Sequence, residues 1–221
     1  GRGWTAAPTV MQQDSLSRFA DLLAKLTDIY AVSGHEEPMR NAVQEALPAW
    51  ARSSAAVDSA GNLVLSMGPD RDTTVVMAHL DEIGFLVTRI GHDGTVSLRT
   101  RGSFFPFLWE GQPALLHRPN DVIPSRDGPH GCGAARDGPL RGVFVARDSS
   151  DQREPGSLSA WFGLDSAALV AAGVKAGSPV TGFKCSARFG DVRLSARSID
   201  DRAPDQLRDA ISFFDNVIGA S

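Results

Sequence analysis

His79 and Asp81 stand two residues apart, directly after the apolar run 73–77. Such a run predicts a buried strand, and residues two apart on a strand face the same side. An imidazole can bind a metal ion, and a nearby carboxylate can fix its second ring nitrogen. The spacing is compatible with a metal site and equally with a strand end that carries incidental polar side chains. The spacing alone does not decide between them.

A second group of charged residues lies far along the chain, where Asp200 and Asp201 precede Arg202. A dinuclear hydrolase needs a carboxylate that bridges two metal ions and a histidine on one of them. His79 and the two later aspartates together are therefore more informative than either group alone.

Two amphipathic helices are predicted before the first strands. Apolar residues recur every three or four positions from Ser15 to Ile29, with Asp14 or Ser15 as the cap. The same spacing returns from Met39 to Trp50. These helices lead towards the strand that is predicted to carry His79.

Short apolar runs separated by Gly, Asp and Asn predict strands joined by tight turns in the middle of the chain. The candidates are a hairpin over 55–65 and strands at 85–90, 95–98, 114–116, 142–146 and 180–183. This pattern predicts a small β-barrel or sandwich. A short helix is predicted at 166–172, an exposed loop over 119–155, and a last helix after Arg202.

The change of periodicity predicts a discontinuous α/β protein. We expect a mixed α/β catalytic domain of residues 12–86 and 192–221, interrupted by a mostly β domain of residues 87–191. Residues 1–11 are interpreted as a leader or a tag remnant.

Composition excludes several classes of protein. The net charge of −4 and the lack of a basic run argue against nucleic-acid binding. No apolar stretch approaches the roughly 20 residues of a membrane-spanning helix. The only cysteines, Cys132 and Cys185, are too few and too far apart for a disulfide scaffold. We therefore expect a protein of the reducing cytoplasm.

The other candidate groups have simpler interpretations. His35 is expected at the start of a helix, His92 in a turn and His117 on a strand surface. The segment 129–132 contains a histidine and a cysteine, which are more often an incidental loop pair than a metal site. The aromatic residues at 104, 105, 107 and 109 are expected in the core or in a subunit contact.

Several motifs in collinear order resemble the M42 family of metallo-aminopeptidases. They are 33–36, Asp58 with 61–62, 78–85, 111–112, 173–181 and 200–202. The resemblance implies a dinuclear-zinc exopeptidase-like catalytic domain with an inserted, barrel-like β domain. It also implies a cytoplasmic enzyme that removes N-terminal residues from peptides and assembles as a homo-oligomer, a dodecamer in the family.

The resemblance also suggests a role for each site residue. His79 resembles a terminal ligand of one metal ion, and Asp200 resembles the carboxylate that bridges both ions. Asp81 resembles the catalytic-site aspartate that orients His79, while Asp201 and Arg202 resemble the supporting residues of the turn. The cofactors implied are two divalent ions, zinc or cobalt.

The chain departs from the family pattern after Arg202. The family has a Glu-Glu pair, a further acidic ligand and a distal histidine there, but residues 203–221 contain no Glu and no His. Pro204 also replaces the usual glycine. We therefore expect a truncated or frameshifted product or a cut fragment, with weak metal binding and impaired activity. The alternative is a non-catalytic binding or assembly protein. A glycoside hydrolase, suggested by the historical endoglucanase label of some members, is a weaker option because no carboxylate pair for it stands out.

Overall fold

The computed structural model describes residues 10–68, 74–119, 121, 138–145, 158–183, 185–189 and 193–195. Asp200, Asp201, Arg202, the predicted last helix and the segment 129–132 lie outside these residues. So does most of the predicted loop over 119–155.

Helices α1 (Val10–Thr27), α2 (Glu37–Ala46) and α3 (Ala49–Arg52) form the first part of the fold. α1 begins five residues before Ser15, so the predicted cap was wrong. The sequence between Val10 and Ser15 contains no Gly or Pro that would delay the helix. The second predicted helix is two helices, because Pro48 cannot continue α2 and instead begins α3.

A small apolar cluster joins α1 to α2. Its buried members are Leu26, Ile29, Ala31, Met39 and Ala42, with Leu22, Val43 and Leu80 packed against them. Trp50 belongs to the predicted apolar face but is exposed, since α3 starts after the break at Pro48.

The hairpin β1 (Ala55–Val57) and β2 (Leu63–Leu65) follows the helices, as the sequence predicts. Its turn is held by Asp58, whose carboxylate accepts hydrogen bonds from the backbone of Ala60 and from the backbone and side chain of Asn62 at 2.8–2.9 Å. A carboxylate that accepts several turn hydrogen bonds fixes the chain reversal locally.

Six strands close into a barrel in the order β3-β4-β7-β6-β5-β8. They are β3 (Gly84–Ile90), β4 (Thr95–Arg101), β5 (Pro113–Leu116), β6 (Leu140–Val145), β7 (Ser159–Trp161) and β8 (Pro179–Gly182). The barrel rather than the sandwich is therefore correct. β7 was not predicted, because three residues are too few to show a period.

The barrel interior is filled by aromatic and branched side chains, as in other small barrels. Phe85 is fully buried, and its ring lies 5.1–5.2 Å from the rings of Phe104, Trp109 and Phe144. Phe105 lies outside this cluster and is 68% exposed. The predicted aromatic group is therefore split between the core and the surface.

Helix α4 (Ser166–Ala171) covers part of the barrel, with Leu169 buried. Asp165 caps it by accepting a hydrogen bond from the backbone N–H of Ala168 at 2.8 Å. The helix ends before Gly173, which has a φ of +85°. A left-handed residue of this kind ends a helix most easily when it is glycine, as the sequence predicts. Strands β9 (Ala187–Phe189) and β10 (Arg193–Ser195) pair antiparallel in a separate two-stranded sheet.

The segment 74–81 has no regular secondary structure, and this corrects the prediction of a buried strand. Val75 and Met77 are 72% and 79% exposed. A strand needs a hydrogen-bonded neighbour, and no described strand pairs with residues 74–80. Apolar composition alone therefore overestimated the burial of this run.

Tyr30, just after α1, contacts the barrel through His117, which follows β5 and lies next to β8. The ring of Tyr30 stacks on His117 with centroids 3.8 Å apart, and His117 Nε2 lies 2.8 Å from Thr181 Oγ1. His117 is buried, so its predicted place on a strand surface was wrong. The sequence could not reveal this burial, because Tyr30 is distant along the chain. Burial, and then the charges of Asp121 and Glu37, raise the pKa of Tyr30 above its ordinary value.

The segment after β8 also returns to α1. The backbone N–H and the hydroxyl of Ser186 donate to the Asp28 carboxylate at 2.8 and 2.9 Å. The neighbouring Cys185 takes part in a disulfide bond, which the expectation of reduced cysteines did not foresee. A cytoplasmic location therefore stays a prediction. Among the helices in the described ranges, none has the length and apolar character needed to cross a bilayer.

Candidate metal centre

His79 and Asp81 contact each other at the surface, shortly before the barrel begins at Gly84. His79 Nδ1 lies 3.0 Å from Asp81 Oδ1 and 3.1 Å from the backbone oxygen of Asp81. A backbone carbonyl can only accept a hydrogen bond. The neutral ring therefore carries its proton on Nδ1 and keeps its lone pair on Nε2, which is the tautomer that a metal ion bound through Nε2 requires.

Leu80 explains why the two polar side chains can share one side. It packs against the apolar cluster between α1 and α2, whereas His79 and Asp81 have 43% and 37% of their side chains exposed. The alternation expected of an extended chain is therefore kept although the segment is not a strand.

Glu82 fixes this segment to the chain that leaves α1. Its backbone N–H donates to the Ala31 carbonyl at 2.8 Å, and its Oε1 accepts from the Ala31 N–H at 2.9 Å. Val32 and Glu82 form an isolated parallel bridge. Glu82 is 2% exposed, so these hydrogen bonds are shielded from water and hold two distant parts of the sequence together.

Ser33 lies next to this bridge and contacts the site directly. Its hydroxyl donates a hydrogen bond to Asp81 Oδ2, the carboxylate oxygen that does not contact His79. Sequence reasoning gave neither Ser33 nor Glu82 a role in the site, because Ser33 and Asp81 are 48 residues apart. The only signal was that 33–36 and 78–85 both belong to the motifs of the family resemblance.

The order of these contacts excludes a Ser-His-Asp triad made of Ser33, His79 and Asp81. In a Ser-His-Asp triad the imidazole lies between the hydroxyl and the carboxylate, so that it can take the hydroxyl proton. Here the carboxylate of Asp81 lies between Ser33 and His79. The arrangement is therefore suited to holding an imidazole in place.

The structure brings together His79 and Asp81 but does not describe Asp200, Asp201 or Arg202. Within the described ranges, no three His, Cys, Asp or Glu side chains are grouped so that they could hold a metal ion. His35 lies at the turn before α2 and His92 in the β3–β4 turn, as expected.

The residues that are described nevertheless fit one part of a metal site. Zinc and cobalt sites in proteins use neutral imidazole nitrogens, and such ligands are held by a carboxylate or carbonyl on the other ring nitrogen. His79 has both kinds of acceptor on Nδ1. It could therefore serve as a ligand through Nε2, with Asp81 as its support.

Comparison with known proteins identifies a family. Residues 61–204, nearly two thirds of the chain, match the family described as M42 glutamyl aminopeptidase. The glutamyl aminopeptidase of Lactococcus lactis is 30% identical over 108 residues, 47% of this chain and 30% of that relative. A protein of Acetivibrio thermocellus, whose aminopeptidase name is provisional, is 40% identical over 92 residues, 42% of this chain and 28% of its own.

A solved structure shares the fold. The TET1 peptidase of Pyrococcus horikoshii, which can assemble into a tetrahedron or a large octahedral shell, aligns with a TM-score of 0.63 and 26% identity. The alignment covers 82% of this chain and 52% of that protein. The chain thus spans about half of TET1 and less than a third of the two curated relatives. From the family match over residues 61–204, we conclude that the chain belongs to the M42 family of glutamyl aminopeptidases.

Proposed function

We propose that this chain contributes to a metal-dependent aminopeptidase, which removes N-terminal residues from peptides. The observation that carries the proposal is the contact between His79 Nδ1 and Asp81 Oδ1 at 3.0 Å. It leaves Nε2 as the metal-binding nitrogen, in a chain that belongs to an aminopeptidase family.

The proposed roles follow the family pattern. His79 would hold one divalent ion, zinc or cobalt, as a terminal ligand, and Asp200 would be the carboxylate that this ion shares with a second one in a dinuclear-zinc exopeptidase-like fold. Asp201 and Arg202 would support the turn at Asp200. When bound, the two ions activate water and polarise the carbonyl of the peptide. Asp81 keeps the proton of His79 on Nδ1 and the ring in a fixed orientation.

We further propose that the 221-residue chain holds these ions weakly and turns over slowly. Residues 203–221 contain no Glu or His that could add a base or a ligand. A catalytic zinc ion generally uses three protein ligands, and His79 with Asp200 supply fewer.

The test is zinc binding and the hydrolysis of aminoacyl anilides by the 221-residue chain. We expect zinc affinity to fall about tenfold or more in His79→Ala, because a ligand is lost. The matched control is His92→Ala, which removes an exposed turn histidine and should leave the affinity unchanged. Equal zinc affinity of the wild-type chain and His79→Ala would contradict the proposal.

An oligomer is also proposed, because TET1 assembles into closed shells. Phe105 and Leu108 are 68% and 62% exposed around the short 3-10 helix Pro106–Trp109. Exposed apolar groups of this kind are typical of subunit contacts. We expect Phe105→Ser with Leu108→Ser to lower the mass measured by light scattering, whereas Trp50→Ser, on the helical part, should not. An unchanged mass would exclude this surface as the contact.

The same surface favours the alternative of a non-catalytic assembly protein. That alternative requires oligomers that form normally while neither zinc binding nor anilide hydrolysis depends on His79. Turnover by the wild-type chain that is lost in His79→Ala would rule it out.

A further inference from the structure

Ser33 is placed where it can control the carboxylate that supports His79. Its hydroxyl donates to Asp81 Oδ2, while Asp81 Oδ1 faces His79 Nδ1 at 3.0 Å. The two carboxylate oxygens therefore have different partners. The contacts run in one line from Ser33 through Asp81 to His79.

The contact between His79 and Asp81 needs such support. Both side chains are more than one third exposed, and exposed ion pairs or hydrogen bonds contribute little because water competes for each partner. The terminal side-chain torsion of an aspartate also has a broad distribution, so an exposed carboxylate rotates readily. A hydrogen bond to Oδ2 from a fixed donor restricts that rotation and keeps Oδ1 directed at the ring.

The buried bridge fixes the donor. Ser33 follows Val32 and Asp81 precedes Glu82, and these two neighbours form the parallel bridge. The two hydrogen bonds between Glu82 and Ala31, at 2.8 and 2.9 Å, hold the bridge in register. The position of Ser33 relative to Asp81 is thus determined by groups that are shielded from water.

Close packing at Gly84 strengthens the same register. A Cβ atom at this position would lie 2.6 Å from Val32 Cγ2 and 3.1 Å from the Val180 carbonyl oxygen. The chain after Asp81 therefore approaches the Val32 segment more closely than a residue with a side chain would allow. The bridge cannot shift along the chain without losing this fit.

We propose that Ser33 is a positioning residue, which holds Asp81 in the orientation that keeps the His79 proton on Nδ1 and presents Nε2 to a metal ion. The inference rests on the proposed function of His79 as a metal ligand. Ser33 itself touches neither substrate nor metal in this assignment.

The test is the tautomer of His79, read from the ring nitrogen signals of the ¹⁵N-labelled 221-residue chain without metal. The measurement is made at about pH 8.5, where an ordinary imidazole is neutral. The His79 signals are assigned by their loss in His79→Gln. We expect the wild-type chain to populate mainly the Nδ1–H form, and Ser33→Ala to lose a measurable part of that population, because only the Asp81 backbone carbonyl, 3.1 Å from Nδ1, then remains as a fixed acceptor.

Two further variants separate positioning from a general effect on the fold. Ser33→Thr keeps the hydroxyl and should retain the wild-type tautomer. Ser186→Ala is the matched control, because Ser186 also donates its hydroxyl to a carboxylate, that of Asp28 rather than that of Asp81. It should leave the His79 signals unchanged. Circular dichroism of each variant verifies that the chain is folded.

Zinc affinity provides the second readout. Loss of a direct hydrogen-bond partner of a ligand typically weakens metal binding about 10- to 100-fold. Ser33 acts one contact further from the metal ion, so its effect should lie at or below the lower end of that range. We therefore expect Ser33→Ala to weaken zinc binding about three- to tenfold.

A folded Ser33→Ala chain with the wild-type Nδ1–H population would overturn the proposal, and so would a folded Ser33→Thr chain that behaves like Ser33→Ala. Failure of the proposed function gives a different result, namely zinc affinity that does not change in His79→Ala. The tautomer measurement needs no metal and still decides the role of Ser33 in that case.

Discussion

Single aspartates organise the local structure around them. Asp58 holds the β1–β2 turn, Asp93 accepts hydrogen bonds from the backbone and hydroxyl of Thr95, and Asp81 links Ser33 to His79. Hydrogen bonds from Asn62 lower the pKa of Asp58, and those from Thr95 lower the pKa of Asp93. The carboxylates of Asp58 and Asp93 are therefore stabilised in their charged form by donors that only the folded chain provides.

The pH dependence of the Asp58 turn follows from this shift. Because the folded pKa is lower than the ordinary value of 3.8, the stabilisation is fully present above pH 3.8 and is lost as the pH falls through the folded pKa. We expect Asp58→Ala to be less stable than the wild-type chain at pH 7, and the difference to shrink below pH 3.8. Urea unfolding at several pH values measures it.

The control for this measurement is Ser59→Ala in the same turn. It should give a difference in stability that does not change with pH. A pH-independent difference for Asp58→Ala as well would show that the charged form of Asp58 is not what stabilises the turn.

At the level of elements, local signals predicted the β1–β2 and β3–β4 hairpins and missed the long-range contacts. The β1–β2 turn was predicted because Asp58, Gly61 and Asn62, which favour turns, lie within five residues of each other. The burial of His117 was missed because it depends on Tyr30, and the exposure of 74–77 was missed because pairing is decided by a partner strand. The Ser33–Asp81 contact could not be found from spacing for the same reason.

The bridge at Val32 gives a second prediction. Gly84→Ala places a methyl group 2.6 Å from Val32 Cγ2, so we expect a cost of about 1–3 kcal/mol in the free energy of unfolding. Val32→Ala removes that obstacle, and part of the cost should disappear when Gly84→Ala is made in its background. A double-mutant cycle from urea unfolding measures the coupling. Additive effects of the two changes would contradict the close contact.

At the level of the whole molecule, stability is concentrated in the barrel core. That core includes Phe85, Phe144, Leu116 and Val180, all with no exposed surface, whereas the cluster between α1 and α2 is smaller. The exposed apolar run 74–77 adds nothing to either cluster. The barrel should therefore be the last part of the described chain to lose its hydrogen-exchange protection.

Substitution of Phe85 tests whether stability is concentrated in the barrel core. Phe85→Ala removes a ring that contacts three other aromatic rings in a closed interior, so we expect a loss of about 3–5 kcal/mol in unfolding free energy. The matched change Phe105→Ala removes the same ring from the surface of the single chain and, in dilute solution where the chain is monomeric, should cost less than about 0.5 kcal/mol. Urea unfolding compares the two. Similar losses would show that the aromatic cluster is not the main source of stability.

The pairing of β3 with β8 means that the barrel could be replaced by protein engineering. Phe85 faces Val180 across this antiparallel pair, so the chain enters and leaves the barrel at neighbouring points. Directly paired residues of antiparallel strands have Cα atoms roughly 5 Å apart, a gap that a tight turn can span. The ninety or so residues between them could therefore be exchanged for a short turn, or for another domain with adjacent termini, without stretching the segment that carries His79.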